Sequence, residues 1–164
     1  MTHTFDIESR IQGIPLELAL VQLRNPEFHE LICRSLPASN INILESKMNQ
    51  SHYSLKRQQN MDVDIPKIAQ KFLKDAFRLY REDHWDINNL TFTSYFKPNM
   101  PGEFKSKTTI LVQGEILCIH QKWEVVVNVP LIHGILAKHA ESEIRKFQQI
   151  EIDVIQKELM KHST

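Results

Sequence analysis

ILCIHQKWEVVVNVPLIHGILAKHAESEIRKFQQIEIDVIQKELMK, residues 116 to 161, decides the fold. Its first part, Ile116 to Val129, alternates apolar and polar positions as a half-buried strand does. Pro130 then opens a helical pattern that runs to about Lys161. A proline suits the first helical turn, where its missing N–H would be unsatisfied anyway. The helix is about 30 residues long, roughly 45 Å at 1.5 Å per residue. A strand of about 14 residues at ~3.3 Å each reaches a similar length. Steps of roughly 100° put Ile132, Leu136, Ala140, Phe147, Ile150 and Val154 in one stripe, flanked by Ile135, Ile144 and Ile155. At about 1.5–3 kcal/mol per large side chain, leaving that stripe in water would cost more than the ~5–15 kcal/mol that stabilises a domain. A sheet must therefore cover it. Lys157, Lys161 and His162 place positive charge at the helix end that favours it.

Upstream, Phe5, Ile7, Ser9 and Ile11 alternate as an opening strand that Gly13 interrupts. Pro15 starts a short helix with Leu16, Ala19, Leu20 and Leu23 on one face, and Asn25-Pro26 caps a second carrying Phe28, Leu31 and Ile32. Strands follow at about Asn40–Met48 and His52–Met61 with a turn at Asn49 to Ser51, then a helix from Ile65 to Lys74 with Pro66 in its first turn. Four more strands, about Phe77–Asp86, Leu90–Lys97, Phe104–Glu115 and Ile116–Val129, are separated by Asn88-Asn89, by PNMPG at Pro98 to Gly102 and by Gly114-Glu115. The order is α+β: an antiparallel sheet of about seven strands with helices kept to one side, in a single domain covering residues 1–164.

Twenty basic residues balance twenty acidic ones, which leaves no electrostatic footprint for nucleic acid or an anionic membrane. The start, MTHTFDIESR, lacks a signal-peptide pattern, and no run approaches the ~20 apolar residues of a membrane span. A cytoplasmic protein that does not span a membrane is expected. Cys33 and Cys118 form no CxxC pair and read as small core filler.

The element order resembles the helix-grip fold of the START and birch-pollen-allergen superfamily, also described as polyketide-cyclase-like. NPEFHE at Asn25 to Glu30, IPKIAQKFL at Ile65 to Leu73, the loop at Pro98 to Gly102 and NVPLIHG at Asn128 to Gly134 are similar to one bacterial branch, the family catalogued as domain of unknown function twenty-five-oh-five. The resemblance implies an elongated cavity between a curved sheet and the C-terminal helix, used for lipids, sterols, polyketides or other apolar ligands. It implies no shared catalytic residues, and fold does not fix function.

Strand alternation selects the residues that would line such a cavity: Phe77, Leu79 and Arg81 on one strand, Phe92 and Phe96 on the next, and Trp123 on the last. Leu136, His139, Ala140, Glu143 and Phe147 join them from the helix. The same inward pattern also fits a solid core. Glu143 stands within the apolar stripe beside His139, and Arg81 interrupts the facing sheet; an ionised buried carboxylate is costly unless paired. Two readings follow: these three form a polar patch that fixes the head of an amphipathic ligand, or Glu143 pairs structurally with Arg81 or escapes to solvent at the mouth.

Cys118 and His120 share a strand face, but zinc needs at least one more ligand, and neither a Gly-rich phosphate loop nor a nucleophile elbow occurs. No metal and no cofactor are expected. Ile152 and Leu159 point away from the stripe and mark a small contact patch for a partner or a weak homodimer. The expected function is non-catalytic binding of an apolar or amphipathic small molecule. The alternatives are a cyclase- or isomerase-like enzyme using Glu143 and His139 as general acid and base, and a protein-interaction module with a closed core.

Overall fold

The computed structural model describes residues 2–73 and 76–163. Its strands are β1 (Thr2–Gln12), β2 (Ala38–Asn49), β3 (His52–Met61), β4 (Arg78–Asp86), β5 (Thr91–Pro98), β6 (Glu103–Gln113) and β7 (Ile116–Val126). They form one sheet in the order β1-β7-β6-β5-β4-β3-β2, with every pair antiparallel. Helices α1 (Leu16–Leu23) and α2 (Pro26–Ser35) connect β1 to β2, which are the two edges of the sheet. The chain must therefore cross the whole width of the sheet there, and these two helices close one end of the grip. The long helix α3 (His133–Met160) lies along the inner face.

Local chemistry explains several boundaries. The Asn25 side chain accepts a hydrogen bond from the Glu27 N–H at 3.1 Å, and Pro26 occupies the first turn of α2, where no N–H is needed. Gly102 ends the Pro98 to Gly102 loop with φ +130, and a Cβ there would meet the Val126 carbonyl oxygen at 2.5 Å. Only glycine lets this loop lie against the end of β7.

Three expectations change. The segment after β3 is a short 3-10 helix, Lys67–Phe72, rather than an α-helix, and its expected last residue, Lys74, lies outside the described residues. Pro130 is not in the first turn of α3, because Leu131, at φ +75, redirects the chain and the helix begins at His133. The buried face of α3 is also turned. Ile135 and Ile150 are exposed, whereas Ile152 and Leu159, expected as an outward contact patch, are 6% and 2% exposed in the core. The physical reason is that α3 touches more than the sheet. Its C-terminal half packs with Ile11, Ile14, Ala19, Phe28 and Ile32 from β1, α1, α2 and the connection between β1 and α1. That second set of partners turns the buried face far enough to take in Ile152 and Leu159, while Leu136 of the expected stripe and Ile144 of its flank stay buried. The surface basis for a homodimer at Ile152 and Leu159 disappears with this rotation.

Candidate functional site

At the end opposite α1 and α2, the sheet and α3 diverge around a cavity of about 170 Å3. Ten of the eleven residues selected from the sequence line it: Phe77, Leu79, Arg81, Phe96, Trp123, Leu136, His139, Ala140, Glu143 and Phe147. Phe92 does not. It lies on the same inward face of β5 but further along, stacked on Trp85 with ring centroids 4.0 Å apart, in a separate cavity of about 50 Å3. Alternation therefore identified the face of the strand, but not the position along it where the hollow ends.

The walls are aromatic and aliphatic. Phe96 stacks on Phe104 with ring centroids 4.8 Å apart and leans on Trp123 at 5.3 Å. The mouth is formed by the 3-10 helix, the Pro98 to Gly102 loop and the first turns of α3, with Ala69, Val129 and Leu136 packed as a small cluster beside it. For scale, an engineered cavity of about 150 Å3 lined by Leu, Ile and Phe stays dry and admits benzene.

A belt of buried polar groups divides this cavity from the smaller one. Asp83 accepts from Arg57 Nη1 at 3.1 Å, Arg81 Nε at 3.0 Å and the Ser94 hydroxyl at 2.6 Å. Arg81 reaches across to α3 and donates to both carboxylate oxygens of Glu151, at 2.9 and 3.3 Å. Gln148 donates to Glu151 and accepts from Gln121, which in turn accepts from the Trp123 indole N–H. Two guanidinium groups and two carboxylates thus neutralise one another, as buried charges must. Burial opposes ionisation of Asp83, but Arg81, Arg57 and the Ser94 hydroxyl outweigh it and hold the carboxyl below its ordinary value. Burial likewise opposes the charge on Arg81, yet Asp83 and Glu151 raise its pKa.

This arrangement divides the expected polar patch. Arg81 is engaged by Asp83 and Glu151 at the deep end, so it does not pair with Glu143. Glu143 stands one helical turn from His139 near the mouth and meets the exposed Lys146 at 3.2 Å. The His139 Nε2 donates to the backbone carbonyl of Asp64. One ligand atom each from Asp64, His139 and Glu143 lies within 4.8 Å of the others. Asp64 was missed because it sits between elements, where neither period marks it. Gln59, Gln148 and Glu151 also line the cavity and were missed because hydropathy assigns such residues to the surface.

The second cavity holds His29 and Cys33 against Arg57 and Asp83. Burial pushes the Cys33 thiol up and the His29 imidazole down, the reverse of an activated thiolate–imidazolium pair. Cys33 and Cys118 are both free thiols; Cys33 fills core space as expected, whereas Cys118 is only half-buried and lies outside the core. His120 Nε2 meets Asp6 at 2.9 Å on the outer face of the sheet, away from both cavities. No helix among the described residues is long and apolar enough to cross a membrane.

Residues 8–159 match a family described as "Protein of unknown function (DUF2505)". The chain belongs to this family. Comparison with curated proteins gives no match. Among solved structures, the chain of this DUF2505 protein is similar to the Zhui aromatase/cyclase from Streptomyces sp. R1128 at 10% identity and TM-score 0.67, covering 100% of this chain and 97% of that one. It is similar at 11% identity and TM-score 0.64 to norcoclaurine synthase from Thalictrum flavum in complex with dopamine and hydroxybenzaldehyde, covering 100% and 90%. A START superfamily protein from Mycobacterium smegmatis follows at 8% identity and TM-score 0.59, covering 97% and 98%. At such identities the likeness establishes the helix-grip fold expected from the sequence.

Proposed function

We propose that this DUF2505 protein binds an apolar or amphipathic small molecule in the larger cavity without transforming it. The observation that carries this reading is the contrast between the aromatic chamber and the charge belt beneath it. The belt satisfies its own groups, so a guest need not supply a partner for a buried charge. The apolar walls gain from losing water at about 25 cal/mol per Å2. A guest of one or two rings fits the volume present, and a longer one would extend through the mouth between the 3-10 helix and α3. Phe77, Leu79, Phe96, Trp123, Leu136, Ala140 and Phe147 would hold the apolar body. Arg81 would bound the deep end, and His139 and Glu143 would face a polar head at the mouth.

Native mass spectrometry of the purified protein, with displacement of a fluorescent apolar probe, tests the reading. Ala140→Trp should fill the chamber and weaken probe binding by roughly tenfold, about 1.4 kcal/mol. Equal probe affinity in the variant and the parent would place any guest elsewhere, and no binding by either would favour an interaction module with a closed core. The cyclase and norcoclaurine synthase among the structural neighbours keep a catalytic reading open. Turnover of a polyketide-like substrate, lost in both His139→Ala and Glu143→Gln, would replace carriage with catalysis.

A further inference from the structure

We propose that Asp64, His139 and Glu143 form a divalent-cation site at the mouth of the larger cavity, with a coordination position left open toward the chamber. His139 and Glu143 are four residues apart on α3, so both side chains project from one helical face and form a two-point chelate on a rigid element. Asp64 approaches from the segment between β3 and the 3-10 helix and is held there by the hydrogen bond from His139 to its carbonyl. One donor atom from each falls within 4.8 Å of the others, and all three residues line the same cavity.

Ligand contacts to zinc are about 2.0–2.2 Å, so the donors must draw together by roughly an ångström. The exposed Asp64 side chain can make that movement by changing rotamer. No basic side chain among the described residues pairs with the Asp64 carboxylate. Among the described residues, the one cation on Glu143 is Lys146, itself 65% exposed and held only by an i,i+3 contact of the kind that solvent screens. Two carboxylates and a neutral imidazole match the charge of a divalent ion. One nitrogen and two oxygen donors suit zinc or manganese. Three protein ligands leave a tetrahedral zinc one position short, as in open sites that accept an exchangeable oxygen ligand.

The sequence pointed to two of these three residues as a patch for a polar head, and the tertiary structure exchanges Arg81 for Asp64. If the proposed cargo binding holds, on which this extension alone rests, the open position would take an anionic oxygen head such as a carboxylate. The cation would also tie the Asp64 segment to α3 and narrow the mouth.

The test is titration of the full chain with Zn2+ by calorimetry and with Co2+ by visible absorption, in a buffer that does not chelate. The parent should bind one equivalent that His139→Ala lacks, and Asp64→Asn and Glu143→Gln should bind it roughly tenfold or more weakly. His120→Ala, which removes the His120–Asp6 pair on the outer sheet face, should leave that equivalent intact. Unchanged circular dichroism would show that the mouth variants remain folded. Equal stoichiometry and affinity in the parent and His139→Ala would overturn the proposal, as would an equivalent that disappears with His120. Apolar-probe binding is read separately. Probe bound but zinc not bound removes the cation site alone, whereas zinc bound without probe supports the site and removes the cargo reading.

Discussion

The two ends of the grip are built on the same strands and yet differ in what fills them. At the closed end, α1 and α2 lie over the sheet, and Ile11, Ile14, Phe28, Ile32, Ile152 and Leu159 pack into a core that leaves only about 50 Å3. At the mouth, a six-residue 3-10 helix and the Pro98 to Gly102 loop replace those helices, and about 170 Å3 remains. The inward alternation of β4 to β7 continues through both ends, so the sheet does not decide where the hollow lies. Helical cover does. The Arg57–Asp83–Arg81–Glu151 belt stands where one regime gives way to the other and ties the sheet to the middle of α3.

The largest expected effect comes from the belt. Asp83→Ala would leave two buried guanidinium groups short of their carboxylate, a change that typically costs about 3–5 kcal/mol. Urea denaturation measures it, and a loss below about 1 kcal/mol would show that the belt is hydrated and divides nothing. Next, Leu159→Ala at the closed end should cost about 2–5 kcal/mol through the cavity it opens. Phe147→Ala, beside a hollow that already exists, should cost about 1 kcal/mol or less while weakening binding of an apolar probe. Equal costs for the two truncations would erase the contrast between the ends.

Gly102→Ala probes the mouth alone. A Cβ at φ +130 against the Val126 carbonyl should cost about 1–3 kcal/mol, and hydrogen exchange should localise the loosening to the Pro98 to Gly102 loop and the end of β7. A pH dependence comes from His29, which donates to the Leu23 carbonyl at 2.6 Å and stacks on Tyr53. Burial lowers its pKa below the ordinary 6.5, so the unfolded chain takes up the proton first. Its contribution is therefore complete above pH 6.5 and is lost as pH falls from there toward the folded value. The slope is at most one proton's worth, about 1.4 kcal/mol per pH unit. His29→Gln should flatten that part of a stability profile taken between pH 7.5 and 5.5. Asp83 follows the same sign lower down, with stability present above its ordinary 3.8 and lost as pH falls toward its depressed folded value.

Legibility in the sequence followed the range of the interaction involved. The strands and their inward faces are set by neighbours two residues apart, and so Leu79, Phe96 and Trp123 could be placed on the cavity wall. The Asn25-Pro26 cap could be read for the same reason. The orientation of α3 could not be read from its own hydropathy. Gln148 and Glu151 turn inward because Gln121 and Arg81, both remote in the chain, satisfy them. Ile135 and Ile150 lie outside as a consequence. Asp64 was invisible because an isolated acidic residue in a connection has no period to betray it.

Taken alone, the amino-acid order determined an antiparallel sheet gripping one long helix, and the family resemblance agreed, because period, turn chemistry and capping act over a few residues. The helix rotation, the buried charge belt and the hollow at one end were decided by the assembled molecule. Each depends on which distant groups meet and on whether helices or only loops cover a given stretch of sheet, and no local pattern records that.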